Sequence, residues 1–264
     1  AIVVSEDHEA NELKFELKIL ELRLESITNE KADLERDILL FNRRQYEILG
    51  DLIKELLRLK AEYQQCIAEQ AKQEQNQEQE EIDELEEEAE QAKDTYDEYS
   101  EEYEEVQQTE VKQLNELEEK ELKNIFRRAC NLCHPDKVTE EKKGQASQIF
   151  IQLKEAYDKN DIAAVKIIYA KLQQGDFSQT KSSKLKSIDI LRSSISEIKY
   201  KLEQAIQALH KLSTDPVTMT INQIGKNESQ WVDYLHNKRV SFEGEIAAWQ
   251  EKLEQLRVGE FNEK

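Results

Sequence analysis

The stretch LKNIFRRACNLCHPDK, residues 122–137, decides how this chain is read. Pro135 is one of only two prolines in 264 residues, so a sequence that otherwise avoids helix breakers places one inside a polar triplet. Proline fixes its own φ and drives the residue before it out of helical space. His134 therefore leaves a helix that carries Leu122, Lys123, Phe126, Arg127, Arg128, Ala129 and Cys130, with small or apolar side chains on one face and cations on the other. Downstream, Ile149, Phe150, Leu153, Ala156 and Tyr157 space out as the apolar stripe of a second helix ending near Asn160.

Working outward, the apolar positions before this stretch follow a seven-residue repeat. Leu13, Leu20, Ile27, Leu34, Phe41 and Ile48 form one row, and Leu17, Leu24, Ile38, Leu52, Leu59 and Cys66 the other, interrupted at Lys31 and Gln45. That period marks a coiled-coil seam, and residues 13–66 would span on the order of 80 Å at about 1.5 Å per residue. A second repeat runs through Ile82, Leu85, Ala89, Ala92, Tyr96, Tyr99, Tyr103 and Val106, then shifts register to Leu114 and Leu117. The Gln- and Glu-rich Glu69 to Glu81 between them is the best place for the chain to reverse or fray, predicting an antiparallel hairpin over residues 1–117. Heptads return at Ile188, Leu191, Ile195, Ile198, Leu202, Ala205, Leu209 and Leu212. Ser213-Thr214-Asp215-Pro216 stops that helix, and the β-branched Val217–Ile221 reads as extended. A last helix shows Val232, Leu235, Phe242, Ile246, Trp249, Leu253 and Leu256 on one side, so residues 184–264 predict a C-terminal helical hairpin. Gly175 to Ser183 is the linker into it. The fold class expected is all-α, with long antiparallel coiled-coil hairpins flanking a small helical module at residues 118–175.

Composition agrees and narrows the function. Charged residues make up 36% and aromatics 7%, with six glycines, the balance of a helical chain whose apolar surface is buried along seams. The net charge is −20, and residues 69–110 alone hold 19 acidic residues against Lys72 and Lys93. That stretch repels a phosphate backbone, and no basic stripe compensates elsewhere, which argues against a nucleic-acid partner. Cys66, Cys130 and Cys133 are too few for a disulfide framework and point to a reducing, cytoplasmic compartment. No apolar run reaches the ~18 residues of a membrane span, so no membrane partner is expected of the visible chain. Residue 1 is Ala and not Met, which leaves a preceding segment open.

With its basic helix, its His-Pro-Asp-Lys loop and a following helix carrying Phe150, Leu153 and Ala156-Tyr157, the region 119–173 resembles the J-domain family of DnaJ-like co-chaperones. The resemblance implies binding to a DnaK-class chaperone and stimulation of its ATP hydrolysis, without the module being an enzyme itself. It implies that Lys123, Arg127, Arg128 and Lys137 meet an acidic groove of the chaperone, where complementary charge speeds encounter and fixes orientation. Asp136 would accept charge-assisted hydrogen bonds from a chaperone arginine, held outward by His134 and Pro135. Residues 120–137 carry a local charge of +3 inside a chain of −20. The sequence departs from the family at Leu132, where a cation is usual, and has no helix I in the ordinary place, since Glu116 to Glu121 reads as a continuation of the coil. Tyr46-Glu47-Ile48-Leu49-Gly50 resembles a helix I signature, but it lies 88 positions before His134 and Ile48 belongs to the heptad, so the match reads as chance. Were it real, residues 51–115 would be an insertion.

Other constellations weigh less. Cys130-Asn131-Leu132-Cys133-His134 satisfies the C-x-x-C-H pattern of covalent haem, but Pro135-Asp136 explains His134 better. Zinc needs four spaced ligands and only three cluster, so neither a metal nor a cofactor is expected. The plainer role for both cysteines is to pack the basic helix, and for Tyr96, Tyr99 and Tyr103 to fill a seam. His8, His210 and His236 stand alone, and no phosphate loop or catalytic triad pattern supports an enzyme. The expected partners are a DnaK-class chaperone and an unidentified client or assembly held by the coiled-coil arms, with a homodimer as a further option. The competing reading is a coiled-coil scaffold in which the J-like module is only a structural joint.

Overall fold

The computed structural model describes residues 2–73, 79–108, 111–134, 138, 140–174 and 188–262. They form an all-helical chain with no strand among the described residues: α1 (Ile2–Gln73), α2 (Gln79–Gln108), α3 (Glu116–Cys133), a 3-10 turn at Glu140–Lys142, α4 (Lys143–Asp158), α5 (Ile162–Gln174), α6 (Ile188–Ser213), α7 (Pro216–Ile224) and α8 (Glu228–Asn262). The linker Gly175 to Ser183 lies outside the described residues, as does part of the Gln/Glu-rich stretch. The chain divides into two compact units, one of residues 1–39 and 110–220, the other of residues 40–109 and 221–264.

The first unit is built on α3, α4 and α5. Leu122, Phe126, Ala129, Cys130 and Cys133 of α3 meet Leu153, Ala156 and Tyr157 of α4 and Val165 and Leu172 of α5, joined by Ala32 of α1. Phe126 and Tyr157 stack with centroids 3.9 Å apart. Along the earlier part of α1, Leu17 packs on Leu191 and Ile195 of α6, with Leu13, Leu20 and Ile198 at the margins. Glu9 binds Arg192 at 2.5 Å and Glu16 binds Lys199 at 2.7 Å, so α6 runs in the same direction as α1.

In the second unit α2 lies antiparallel to α1. Tyr46 donates to Glu102 at 2.6 Å, Gln64 to Glu88 at 3.3 Å, and Lys72 pairs with Glu86, numbers rising on one helix as they fall on the other. Gly50 is where α1 admits the Tyr103 ring, because a Cβ at that position would run into it. On another side, Phe41 meets Trp231 edge-on at 5.8 Å and Tyr63 meets Trp249 at 5.3 Å, so α8 follows α1 in the same sense. The segment 184–264 is thus divided, with α6 in the first unit and α8 in the second.

Two local expectations are corrected. Val217–Ile221 is not extended but sits inside α7: Asp215 Oδ1 accepts from the Val217 amide at 2.8 Å, and Pro216 occupies the first helical position, where its missing N–H costs nothing. The Asp-Pro pair that stops α6 therefore also starts α7. Nor does the coil continue into Glu116, because residues 111–115 are non-helical and Asn115 opens α3 with a capping box. Its side chain accepts from the Leu117 and Glu118 amides at 3.0 Å each while Glu118 reaches back to the Asn115 amide at 2.9 Å.

Candidate functional site

The site begins where α3 ends. His134 caps the helix at φ −61°, ψ 126°, its amide still donating to Cys130 O at 2.8 Å, so the chain leaves helical space at the residue before proline. The imidazole meets Phe150 of α4 edge-on at 5.3 Å. Pro135, Asp136 and Lys137 lie outside the described residues, and Val138 returns buried to the protein.

Of the cations on α3, two are engaged by the same chain. Arg127 pairs with Asp33 of α1, and Lys123 lies 4.0 Å from Asp37 of α1. Arg128 is exposed and makes no ion pair among the described residues, as is Lys120. Lys166 of α5 reaches Glu121, seven positions before Arg128 on α3, at 2.6 Å. The available positive charge of α3 is therefore concentrated at Arg128 and Lys120.

The α1 carboxylates belong to a buried polar cluster that the heptad reading missed. Arg36 is fully buried, with 0% exposure, and its Nε and Nη2 donate to Asn160 Oδ1 at 3.1 and 2.7 Å. Nη2 also reaches Glu119 at 3.3 Å, and the guanidinium lies 5.2 Å from the centre of the Tyr157 ring. Asn160 holds the α4–α5 corner at φ 57°, the left-handed region that asparagine tolerates better than most residues, and donates to Lys112 O at 2.9 Å. Tyr157 Oη donates to Asp33 at 2.6 Å, and burial followed by the Asp33 charge pushes its pKa well above the ordinary value. Lys154 has its pKa raised even though burial opposes the charge, because Asp158 at 3.0 Å and Glu35 at 3.3 Å outweigh it. Residues 32–37 of α1 thus hold α3, α4 and the α4–α5 corner together.

The sequence did carry two signals for this cluster. Asp33, Arg36 and Asp37 fall at i, i+3 and i+4, one face of α1 apart from the apolar rows. Asn160 stands just past the end of a helix, a preferred place for a left-handed residue. Tyr46–Gly50, by contrast, is a plain part of α1 in the second unit, with Gly50 beneath Tyr103.

No family model matches the chain, and neither does any curated protein or solved structure. Cys130 and Cys133 are buried in the α3 core, and burial pushes the Cys133 thiol up to about 12, which disfavours the thiolate that metal binding or redox exchange needs. Among the described residues no group of three or more His, Cys, Asp or Glu could hold a metal ion, and no helix is long and apolar enough to cross a membrane. A cleft beside His134, lined by Glu21, Leu24, Thr28, Cys130 and Ile198, has a volume of about 20 Å³. That is room for a single water, not for an organic ligand.

Proposed function

We propose that the chain is a J-domain-like co-chaperone that binds a DnaK-class ATP-driven chaperone through the His134–Lys137 loop and α3 and stimulates its ATP hydrolysis. The observation that carries this reading is the release of His134 from the end of a cation-bearing helix that is itself paired with the next helix through the Phe126–Tyr157 stack. Fixing the His134 end of the loop in advance lowers the ordering cost of binding. In this reading Arg128 supplies the main charge contact, while Arg127 and Lys123, already held by Asp33 and Asp37, contribute less. With no helix I in the ordinary place, residues 32–37 of α1 brace α3, α4 and the α4–α5 corner. We further propose that α1 and α2 form a coiled-coil hairpin that recruits a client or an assembly, in keeping with their antiparallel contacts. Three free cysteines fit a reducing, cytoplasmic setting.

The test is capture of the protein by an immobilised DnaK-class chaperone in the presence of ATP. Wild type is retained, Asp136→Asn is lost, and Arg128→Glu weakens retention more than Lys123→Gln does. Equal retention of wild type and Asp136→Asn would overturn the proposal.

A second reading, a coiled-coil scaffold with the module as a structural joint, is favoured by the engagement of Arg127 and Lys123 within the chain. It predicts that whatever assembly the arms hold is recovered equally by wild type and Asp136→Asn, with no chaperone retained by either.

A further inference from the structure

We propose that α1 residues 11–30 form an antiparallel contact with a second copy of this chain, centred on Phe15, Ile19 and Leu22. These three side chains are 70%, 48% and 52% exposed and fall at i, i+4 and i+7, one continuous row over two turns. They lie on the side of α1 opposite Leu13, Leu17 and Leu20, which pack with Leu191, Ile195 and Ile198 of α6. A single exposed leucine needs no explanation, but a helix with apolar rows on two opposite faces is built to sit between two partners. The first partner is α6, and nothing among the described residues covers the second face.

The charges beside the row choose the occupant. Glu16 and Arg23 flank it on one side, Lys18 and Glu25 on the other. In a parallel pair Lys18 would face Arg23 of the second copy and Glu25 would face Glu30, like against like. Reversing one copy about an axis between residues 20 and 21 sets Ile19 against Leu22 of the second copy and Phe15 against Ser26. Glu16 then faces Arg23 of the second copy and Lys18 faces Glu25, opposite charges on both flanks and twice over by symmetry. Glu16 keeps its 2.7 Å contact with Lys199 in its own chain, so the second copy adds a cation to a carboxylate already in place. The row ends at Ser26 and Glu30, which limits the overlap to about 30 Å of helix at ~1.5 Å per residue and makes a weak, reversible dimer. This inference is independent of what the His134 loop binds.

Sedimentation velocity of the full chain across about 1 to 100 µM tests it, the range in which a weak dimer exchanges with monomer. Wild type is expected to shift from monomer to dimer across that range. Ile19→Glu, a change at an exposed position, weakens association at least tenfold with helicity unchanged by circular dichroism. Lys18→Glu weakens it about fivefold by placing two glutamates together, and Lys18→Glu with Glu25→Lys restores it because the pair is only exchanged. A wild type that stays monomeric throughout, a dimer indifferent to Ile19→Glu, or a charge exchange that fails to restore association would each overturn the proposal.

Discussion

The α3–α4–α5 trio and the α2 arm show two ways in which one chain makes helices adhere. The trio closes on side chains with almost no exposure, Leu122, Phe126, Ala129, Leu153, Tyr157 and Val165 among them, and adds a buried guanidinium with directed hydrogen bonds. The α2 helix has no buried residue at all and rests on α1 through tyrosine rings and exposed hydrogen bonds and ion pairs. Burial of apolar area scales into several kcal/mol per helix, whereas exposed ion pairs give about 0–1 kcal/mol each. The trio should therefore behave as a cooperative block, and α2 as an arm that opens locally at little cost.

The largest expected effect is at Arg36. Arg36→Ala strips the partner from Asn160 and Glu119 in a buried place and should cost about 3–5 kcal/mol, read by urea denaturation and by loss of hydrogen-exchange protection across α3, α4 and α5. Phe126→Ala should cost about 3–5 kcal/mol as well, while Leu85→Ala in α2 should cost under about 1 kcal/mol. Equal losses from the last two would erase the contrast between block and arm.

A smaller and more specific effect belongs to the α4–α5 corner. Asn160→Ala loses both the Arg36 hydrogen bonds and the tolerance for φ 57°, whereas Asn160→Gly loses only the hydrogen bonds. The alanine variant should be less stable than the glycine variant by about 1 kcal/mol, the cost of a left-handed residue with a Cβ. A reversed order would mean that the corner is not strained.

Alkaline pH sharpens the same comparison. The Cys133 thiol has its folded pKa raised by burial from 9.0 to about 12, so its contribution is complete below pH 9, where neither state ionises, and declines as pH rises from 9 toward 12 and only the unfolded chain loses the proton. Urea midpoints of the α3–α5 block should fall as pH rises from 9 to 11, and Cys133→Ala should flatten that fall. The smallest effect is Tyr103→Phe, which removes the 2.7 Å hydrogen bond to Asp51 at an exposed site and should cost under about 1 kcal/mol.

Helices were legible because their signals are local. The heptads from Leu13 onward announce α1, the row from Ile188 announces α6 down to its end at Ser213, and Pro135 forces the exit at His134. The Asp215-Pro216 pair misled because the same residues end one helix and begin another, and Asn115 with Glu118 was an overlooked start signal. What the heptad could not reveal was which outer face of α1 another element would cover. Arg36 sits outside both apolar rows and reads as a solvated charge until α3 and α4 close over it. The cations Lys123 and Arg127 were legible as a basic face, but their engagement with Asp33 and Asp37 depends on residues about ninety positions away in sequence, a separation no periodicity records.

The co-chaperone reading stands or falls on ATP turnover by the partner. Steady-state hydrolysis by a DnaK-class chaperone, measured with increasing amounts of this protein, should rise severalfold with wild type and stay at the basal rate with Asp136→Asn, while Arg128→Glu falls between the two. A basal rate with saturating wild-type protein, or equal stimulation by wild type and Asp136→Asn, would contradict it.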